Sequence, residues 1–342
     1  MPQTRQLRGG DLVRVRTAEE ILATLDEKGR ADGLPFMPEM LQFAGREMRV
    51  YKRADKTCDT IHMTGTTRKL DRTVHLLGAR CDGSAHGGCQ AGCLMFFRED
   101  WLERPNGDQV SPTNESEVTG ATLAQLTADT RAGVADDGAP LYRCQATELL
   151  RASRSLSTYD PRQYVADVRT RNAPVQTVLK GFLVALFNKC QRLSRRLPAR
   201  LRFREGAYYP FYRGTGPTRT PDDRLNLEAG ELVEIKNKEE IMATLREDNR
   251  NRGLWFDAEM LPYCGSRARV NRRIEKIIDE PTGRMIRLRD CIALEGVVCR
   301  ALYHRFCPRA IEPYWREAWL RRVTEPDAHD KPSEPISLQH PR

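Results

Sequence analysis

Cysteine and histidine occur in two short motifs of this chain with the same spacing. The first motif, RCDGSAHGGCQAGC, contributes Cys81, His86, Cys89 and Cys93. The second, VCRALYHRFC, repeats the pattern C-x4-H-x2-C with Cys299, His304 and Cys307. Thiolate and imidazole are the donors that zinc and iron–sulfur clusters prefer in proteins. Both motifs therefore predict metal sites.

The first motif has enough thiols nearby to complete a metal site. Gly87 and Gly88 allow the backbone to turn tightly and to aim several side chains at one point. With one more cysteine from the segment RCQATELL, four thiols are available: Cys81, Cys89, Cys93 and Cys144. Such a set suits a tetrahedral zinc ion or a four-iron cluster. Cys58 or His86 could close the shell instead.

The second motif has fewer local thiols. Ile311 stands where the first motif has Cys93, so a complete site needs Cys190, Cys264 or Cys291. Taken singly, these three cysteines are more typical of core packing, because free cysteine is often buried. The second motif therefore predicts either a degenerate metal site or a motif that keeps the spacing without a metal site.

One other interpretation of the first motif and the identity of the metal stay open. A thiolate–imidazole pair such as Cys89 and His86 can act as a nucleophile and its base. The spacing matches neither a zinc ribbon nor a ferredoxin run, so the metal remains undecided between zinc and an iron–sulfur cluster.

His62 and His75 have no partner in the second motif and are expected at the surface or in a core.

Both motifs lie in a segment that occurs twice. The stretch that begins GDLVRV at Gly10 aligns without gaps to GELVEI at Gly230, and about half of the first forty positions agree. Glu39-Met40-Leu41, for example, returns as Glu259-Met260-Leu261. After a slip of two residues the alignment continues through the cysteine motifs to Trp101 and Trp319. We therefore expect two copies of one fold.

Each copy predicts short strands and one small helix. Strands are expected at Leu12 to Val15, Met48 to Tyr51 and Val74 to Leu77, and in the second copy at Leu232 to Ile235, Met285 to Leu288 and Ile292 to Leu294. Glu19 and Glu20 favour a helix start. The fold class is thus α+β, with two small SH3-like, partly open barrels joined by a helical segment.

The chain divides into five expected regions. These are repeat 1 at 10–104, a linker at 105–140, a helical connecting segment at 141–204, repeat 2 at 230–323 and a disordered tail at 324–342. Within them, helices are expected at Ala121 to Ala128, Gln145 to Ser153, from Asp160-Pro161 onward, and Pro174 to Arg195.

The closing pattern LEGVVC…HRFCPRAIEPYWREAWLRRV, together with RCDGSAHGGCQAGC, resembles an uncharacterised bacterial family with the same duplicated layout. The resemblance covers Gly10 to Val323. It implies a duplicated, cysteine- and histidine-containing module and no particular activity.

Composition limits the function classes. Charged residues make up 30% of the chain and the mean hydropathy is −0.61. No stretch reaches the length of a transmembrane helix, and the N-terminus lacks a signal sequence, so we expect a cytoplasmic protein with reduced thiols. The net charge of +9 is spread among many acids, which argues against nucleic acid as a partner. Peripheral membrane contact through the helix at Pro174 to Arg195 stays open.

The leading hypothesis is a metal-thiolate protein, zinc or iron–sulfur, of a bacterial biosynthetic or redox pathway. The alternatives are a zinc-stabilised interaction scaffold without catalysis and a nucleic-acid-binding module. No familiar nucleotide-binding or hydrolase motif is present. The sequence does not decide whether the protein is an enzyme, and the small-molecule or protein partner is not identified.

Overall fold

The computed structural model describes residues 6–62, 66–105, 120–157 and 159–323. The predicted tail at 324–342 and much of the predicted linker lie outside these residues. The described part is a mixed α+β structure in which small antiparallel sheets predominate. Its α-helices are α1 Ala18–Leu22, α2 Gly120–Asp129, α3 Arg162–Arg169, α4 Val175–Ser194 and α5 Lys238–Met242.

The strands are short in the amino-terminal half and include two long ones in the carboxy-terminal half. In the first half they are β1 Leu12–Val15, β2 Arg30–Ala31, β3 Leu34–Pro35, β4 Glu47–Arg53, β5 Lys56–Cys58, β6 Thr67–Lys69, β7 Thr73–Arg80, β8 Leu94–Arg98, β9 Leu102–Glu103, β10 Arg131–Val134, β11 Pro140–Tyr142 and β12 Arg154–Leu156. In the second half they are β13 Leu232–Ile235, β14 Arg250–Asn251, β15 Leu254–Trp255, β16 Arg267–Ile278, β17 Met285–Leu294, β18 Trp315–Arg316 and β19 Leu320–Arg322.

The chain forms two compact units, and their boundaries cut across the long strands. The first unit comprises Met1–Ala173, Lys276–Leu288 and Phe306–Ile311. The second comprises Pro174–Glu275, Arg289–Arg305 and Glu312–Arg342. The carboxyl end of β16 and the start of β17 therefore belong to the first unit, as does the segment that carries Cys307.

The first unit is built on a five-stranded sheet with the order β8-β7-β4-β1-β9. Its strands β1 and β4 pair antiparallel, with Val13 opposite Met48. Val13, Val15 and Val50 are fully buried, since alternate side chains of a strand point to one face. Trp101 closes this core, where its Nε1 donates to Thr24 Oγ1 at 3.1 Å. A smaller sheet, β12-β6-β5, carries Cys58 at the end of β5.

The second unit has a sheet of corresponding order, β18-β17-β16-β13-β19. Val233 and Ile235 of β13 are fully buried, as are Trp315 and Trp319. Trp319 Nε1 donates to Thr244 Oγ1 at 2.9 Å, which is the counterpart of the bond made by Trp101. The rings of Phe256 and Trp319 meet edge to face with centroids 5.4 Å apart.

The same capping box starts the small helix that follows each first strand. Thr17 accepts a hydrogen bond from the Glu20 N–H, and the Glu20 carboxylate accepts one from the Thr17 N–H. Asn237 and Glu240 exchange the equivalent bonds. These bonds satisfy amide groups that a helix start otherwise leaves unpaired, so polar residues fix both starts.

Two local predictions were wrong. The segment Gln145 to Ser153, predicted as a helix, is a series of turns. The Gln145 side chain forms hydrogen bonds with the backbone of Phe96 and Pro35, and these bonds hold the segment against the sheet. The two strands predicted at Met285 to Leu288 and Ile292 to Leu294 are one strand, β17. Asp290 takes a positive φ of 54° within it, which bends the strand without ending it.

Candidate metal centre

The first cysteine motif forms the loop between β7 and β8. The Cys81 N–H donates to the Cys93 carbonyl at 2.9 Å, so hydrogen bonding joins the two ends of the loop. Within it, the Gly88 N–H donates to the Gly83 carbonyl at 2.9 Å. Gly83 has a φ of +73°, and a Cβ there would lie 2.1 Å from the Cys89 carbonyl oxygen. The turn that presents Cys89 therefore requires glycine at this position.

Glu39, Cys81 and His86 each place one donor atom within 4.8 Å of the other two. Glu39 lies on the turn Pro38–Phe43, and its Oε1 is 2.8 Å from His86 Nδ1. On the other side of the ring, Nε2 lies 3.6 Å from Cys81 Sγ. The imidazole thus stands between a carboxylate and a thiol, with one nitrogen facing each.

Burial makes the charges of this cluster strongly interdependent. His86 is only 2% exposed and Glu39 5%. Burial alone would lower the pKa of His86, but hydrogen bonds with Cys81, Cys89 and Glu39 raise it far above its usual value. Burial would raise the pKa of Glu39, yet its contact with His86 holds that pKa below the usual value. The site therefore stabilises a positive charge between its anionic groups.

The thiols around His86 differ in their electrostatic environment. Burial would raise the pKa of Cys89, but the hydrogen bond with His86 lowers it overall. For Cys81, burial outweighs His86 and the pKa is raised. Burial also raises the pKa of Cys93, and that of Cys144 to about 11. Cys89 is therefore the thiol that ionises most readily in this cluster.

All four predicted thiols of the first motif line one cavity together with His86. The cysteines are Cys81, Cys89, Cys93 and Cys144. The rest of the lining is mainly apolar and includes Met37, Met95 and Ile278, with Glu280 as a second carboxylate. The Ile278 N–H donates to Cys89 Sγ at 3.4 Å. The predicted ligands thus line one cavity, whereas the group whose donor atoms lie within 4.8 Å of one another comprises Cys81 and His86 with Glu39.

The second motif forms a different group. Glu259, Cys299 and His304 each place a donor atom within 4.8 Å of the other two. His304 Nε2 lies 3.0 Å from both carboxylate oxygens of Asp257, and Glu259 Oε1 accepts the Tyr303 N–H at 2.5 Å. His304 is half-buried, and burial raises the pKa of Glu259. Among the described residues this group has a single thiol.

The other cysteines lie elsewhere in the fold. Cys307 belongs to the first unit, where it neighbours Cys58, whereas Cys299 and His304 belong to the second unit. Cys190 is exposed on α4. Cys264 Sγ lies 4.0 Å from the Met260 carbonyl, and Cys291 Sγ accepts from Arg316 at 3.3 Å. None of these four belongs to the Glu259 group among the described residues.

Sequence reasoning missed both carboxylates, Glu39 and Glu259. The signal was present, because Glu39-Met40-Leu41 and Glu259-Met260-Leu261 coincide when the two sequence segments are aligned. Each glutamate starts a short turn ahead of β4 or β16, far in sequence from the cysteine motif that it meets.

Comparison with known proteins gives no relative: no protein-family model, no curated protein and no solved structure matches this chain. In the part of the chain that the structure describes, no helix has both the length and the apolar character needed to cross a bilayer.

Proposed function

We propose that the chain is a zinc-thiolate protein whose first unit binds Zn²⁺ through Cys81, Cys89 and His86. Cys93 or Cys144 supplies the fourth donor from the same cavity. The observation that carries the proposal is the position of His86, with Nδ1 2.8 Å from Glu39 and Nε2 3.6 Å from Cys81 Sγ. A carboxylate that holds one imidazole nitrogen while the other faces the metal is a recurrent arrangement around zinc.

The electrostatics support a cation at this place. Without a metal, the cluster holds a proton on His86, between the Glu39 carboxylate and the thiol groups. Zinc would supply that positive charge and would bind neutral imidazole and thiolates. Glu39 Oε2 is also buried without a hydrogen-bond partner among the described residues, so this oxygen retains acceptor capacity that a nearby cation would satisfy.

The role that this geometry favours is structural. His86 and Cys89 are 2% and 7% exposed, and four protein donors leave zinc no position for a substrate. The metal would fix the loop 81–93 against Glu39 and Cys144. This corresponds to a zinc-stabilised scaffold in a reducing compartment such as the cytoplasm, rather than to an enzyme.

A second candidate is an iron–sulfur protein that serves a redox or biosynthetic pathway. It is favoured by one observation, the four thiols Cys81, Cys89, Cys93 and Cys144 around one largely apolar cavity. In that case His86 would donate to cluster sulfur or thiolate rather than bind metal.

The fold supports a duplication of one module. The two five-stranded sheets have corresponding strand orders, and each unit has the same capping box and the same tryptophan–threonine bond. We interpret the sheets as two partly open, SH3-like barrels. The Glu259 group would then be the degenerate copy of the metal centre, with weak or no zinc binding because it has one thiol.

Anaerobic purification, metal analysis and a visible spectrum test this proposal. We expect about one tightly bound zinc per chain and no absorption in the visible range. Cys89→Ser should release the zinc, whereas the matched variant Cys190→Ser, which alters an exposed thiol on α4, should retain it. A brown protein with about four irons per chain would replace the zinc proposal with the cluster, and a metal-free protein would reject both.

A further inference from the structure

Two cysteines outside the proposed metal centre lie side by side in the first unit. Cys58 ends β5, and Cys307 lies in the segment Phe306–Ile311. Their Sγ atoms are 3.2 Å apart, and the Cys58 N–H also donates to Cys307 Sγ at 3.2 Å. A disulfide has its sulfurs about 2.05 Å apart, so a small movement would join them.

A buried arginine accompanies the pair. Arg309 is 3% exposed and interacts electrostatically with both sulfurs. Its guanidinium donates to Thr60 Oγ1 at 2.7 Å and to Glu280 Oε1 at 3.3 Å. These bonds hold a positive charge next to the two thiols.

The surroundings favour a thiolate. Burial alone would raise the pKa of Cys307, but the hydrogen bond with Cys58, the Arg309 N–H and the Arg309 charge lower it to about 5. Because Cys307 Sγ donates a hydrogen bond to Cys58 Sγ, the negative charge that forms on ionisation belongs to the pair rather than to one atom. These contacts therefore favour ionisation of the pair over that of an ordinary buried thiol.

We propose that Cys58 and Cys307 form a redox-active dithiol that reduces small disulfides of the glutathione type. Cys58 is half-buried and Cys307 is 4% exposed, so Cys58, as the more exposed residue of the pair, is assigned the attack on the substrate. The proposal does not depend on the zinc centre, since neither cysteine belongs to the Glu39 or the Glu259 group.

The reaction balances within the pair and its substrate. With the proton on Cys307, the Cys58 thiolate attacks one substrate sulfur; the substrate S–S bond breaks, a mixed disulfide forms and one substrate thiolate leaves. Cys307 Sγ then attacks Cys58 Sγ and gives up its proton to a substrate thiolate, which releases the second half of the substrate. Two electrons pass from the dithiol to the substrate disulfide.

The chain contains its own matched comparison. Ile278 aligns with Cys58 in the duplication, and its N–H donates to Cys89 Sγ at 3.4 Å just as the Cys58 N–H donates to Cys307. Cys307 Sγ thus accepts a backbone N–H from a residue that carries a thiol, Cys58, whereas Cys89 Sγ accepts one from a residue that carries none, Ile278. Cys58→Ile converts the first arrangement into the second and keeps the backbone bond.

The test uses the full chain as purified, with its metal, and with Cys190→Ser to remove an exposed thiol. The protein is incubated with oxidised glutathione at pH 6, quenched in acid, alkylated and mapped by peptide mass spectrometry. We expect a Cys58–Cys307 cross-link that forms roughly ten-fold faster than the reaction of free cysteine, because the larger thiolate fraction outweighs its lower nucleophilicity. Cys307→Ser should stop at a mixed disulfide on Cys58, and Cys58→Ile should not react at Cys307.

Other outcomes would overturn the proposal. One is that Cys58 and Cys307 both remain alkylatable under conditions that fully convert Cys190 in the unsubstituted chain. Another is that a mixed disulfide accumulates on Cys58 without a cross-link to Cys307. Zinc is measured on the same samples. If Cys58→Ile loses zinc and the chain that keeps both cysteines forms no cross-link, Cys58 and Cys307 are zinc ligands instead of a redox pair. Failure of the zinc centre is seen separately, as absence of metal from the parent chain.

Discussion

At the scale of single residues, the candidate centre depends on how His86 is held. Its ring lies between the Glu39 carboxylate, from the turn Pro38–Phe43, and the Cys81 thiol of its own loop. The cysteines and the histidine could be selected from the sequence, because thiols and imidazole are common metal donors and the same spacing occurs twice. Glu39 could not be selected on those grounds, since acidic residues are common and this one is more than forty positions from Cys81.

Replacing the carboxylate tests the role given to Glu39. Glu39→Gln should lower zinc affinity about 10- to 100-fold, because it removes the charge that orients the imidazole without removing a ligand. Competition with a chelator measures this. Glu19→Gln, on the exposed face of α1, is the control and should leave the affinity unchanged. Equal affinity in the two variants would show that Glu39 does not act on the metal.

The burial of His75 predicts that the free energy of unfolding depends on pH. It is fully buried with Nδ1 2.8 Å from the Met95 carbonyl, and burial lowers its pKa to about 3. Since the unfolded chain binds a proton near pH 6.5, stability falls as pH drops from about 6.5 toward 3. His75 should contribute up to about 1.4 kcal/mol per pH unit to that slope.

The variant His75→Asn should flatten the slope between pH 6 and pH 4, as measured by urea unfolding at several pH values. His62→Asn, which alters a ring that is 55% exposed and pairs with Asp59, is the comparison variant and should change the slope less than His75→Asn does. A parent and a His75→Asn protein with parallel stability curves would mean that His75 titrates normally in the fold.

At the scale of elements, short strands and helix starts were predictable where local residues determine them. Strands β1 and β13 begin and end where the alternation of apolar residues predicts. Helix α4 spans Val175–Ser194, within one residue of its predicted ends. The turns after Gln145 were not predictable, because distant backbone groups of Phe96 and Pro35 hold them. Such tertiary contacts override local helix preference.

One buried glutamate ties an irregular segment to the second sheet. Glu317 is fully buried; it accepts the N–H groups of Leu225, Asn226 and Leu227 and pairs with Arg273 at 2.5 Å. Burial would raise its pKa, but these donors lower it, so the carboxylate is charged. The segment before β13 therefore depends on this side chain for its hydrogen bonds.

Glu317→Gln should destabilise the second unit by about 3 kcal/mol, because an amide cannot accept all four donors and leaves some buried without partners. The midpoint of urea unfolding, followed by tryptophan fluorescence, reports the change. Glu247→Gln removes an exposed pair with Arg213 and should change stability by less than about 0.5 kcal/mol. Similar midpoints for both variants would contradict the role assigned to Glu317.

At the scale of the whole molecule, the sequence alignment indicated two related segments but not how the chain divides. The first unit takes in Lys276–Leu288 and Phe306–Ile311 from the second half of the sequence. Cys307 consequently lies beside Cys58, although its spacing matches Cys299 and His304. Spacing along the chain predicts which residues are equivalent, whereas the path of the strands decides which of them meet.

X-ray absorption at the zinc edge of the anaerobically purified chain tests the central claim most directly. We expect zinc with a mixed shell, mostly sulfur at about 2.3 Å with one nitrogen at about 2.0 Å, and loss of the nitrogen in His86→Ala. The protein needs no substrate or partner for this measurement. A shell of oxygen alone, or an unsubstituted chain that contains no zinc, would contradict the proposed zinc centre.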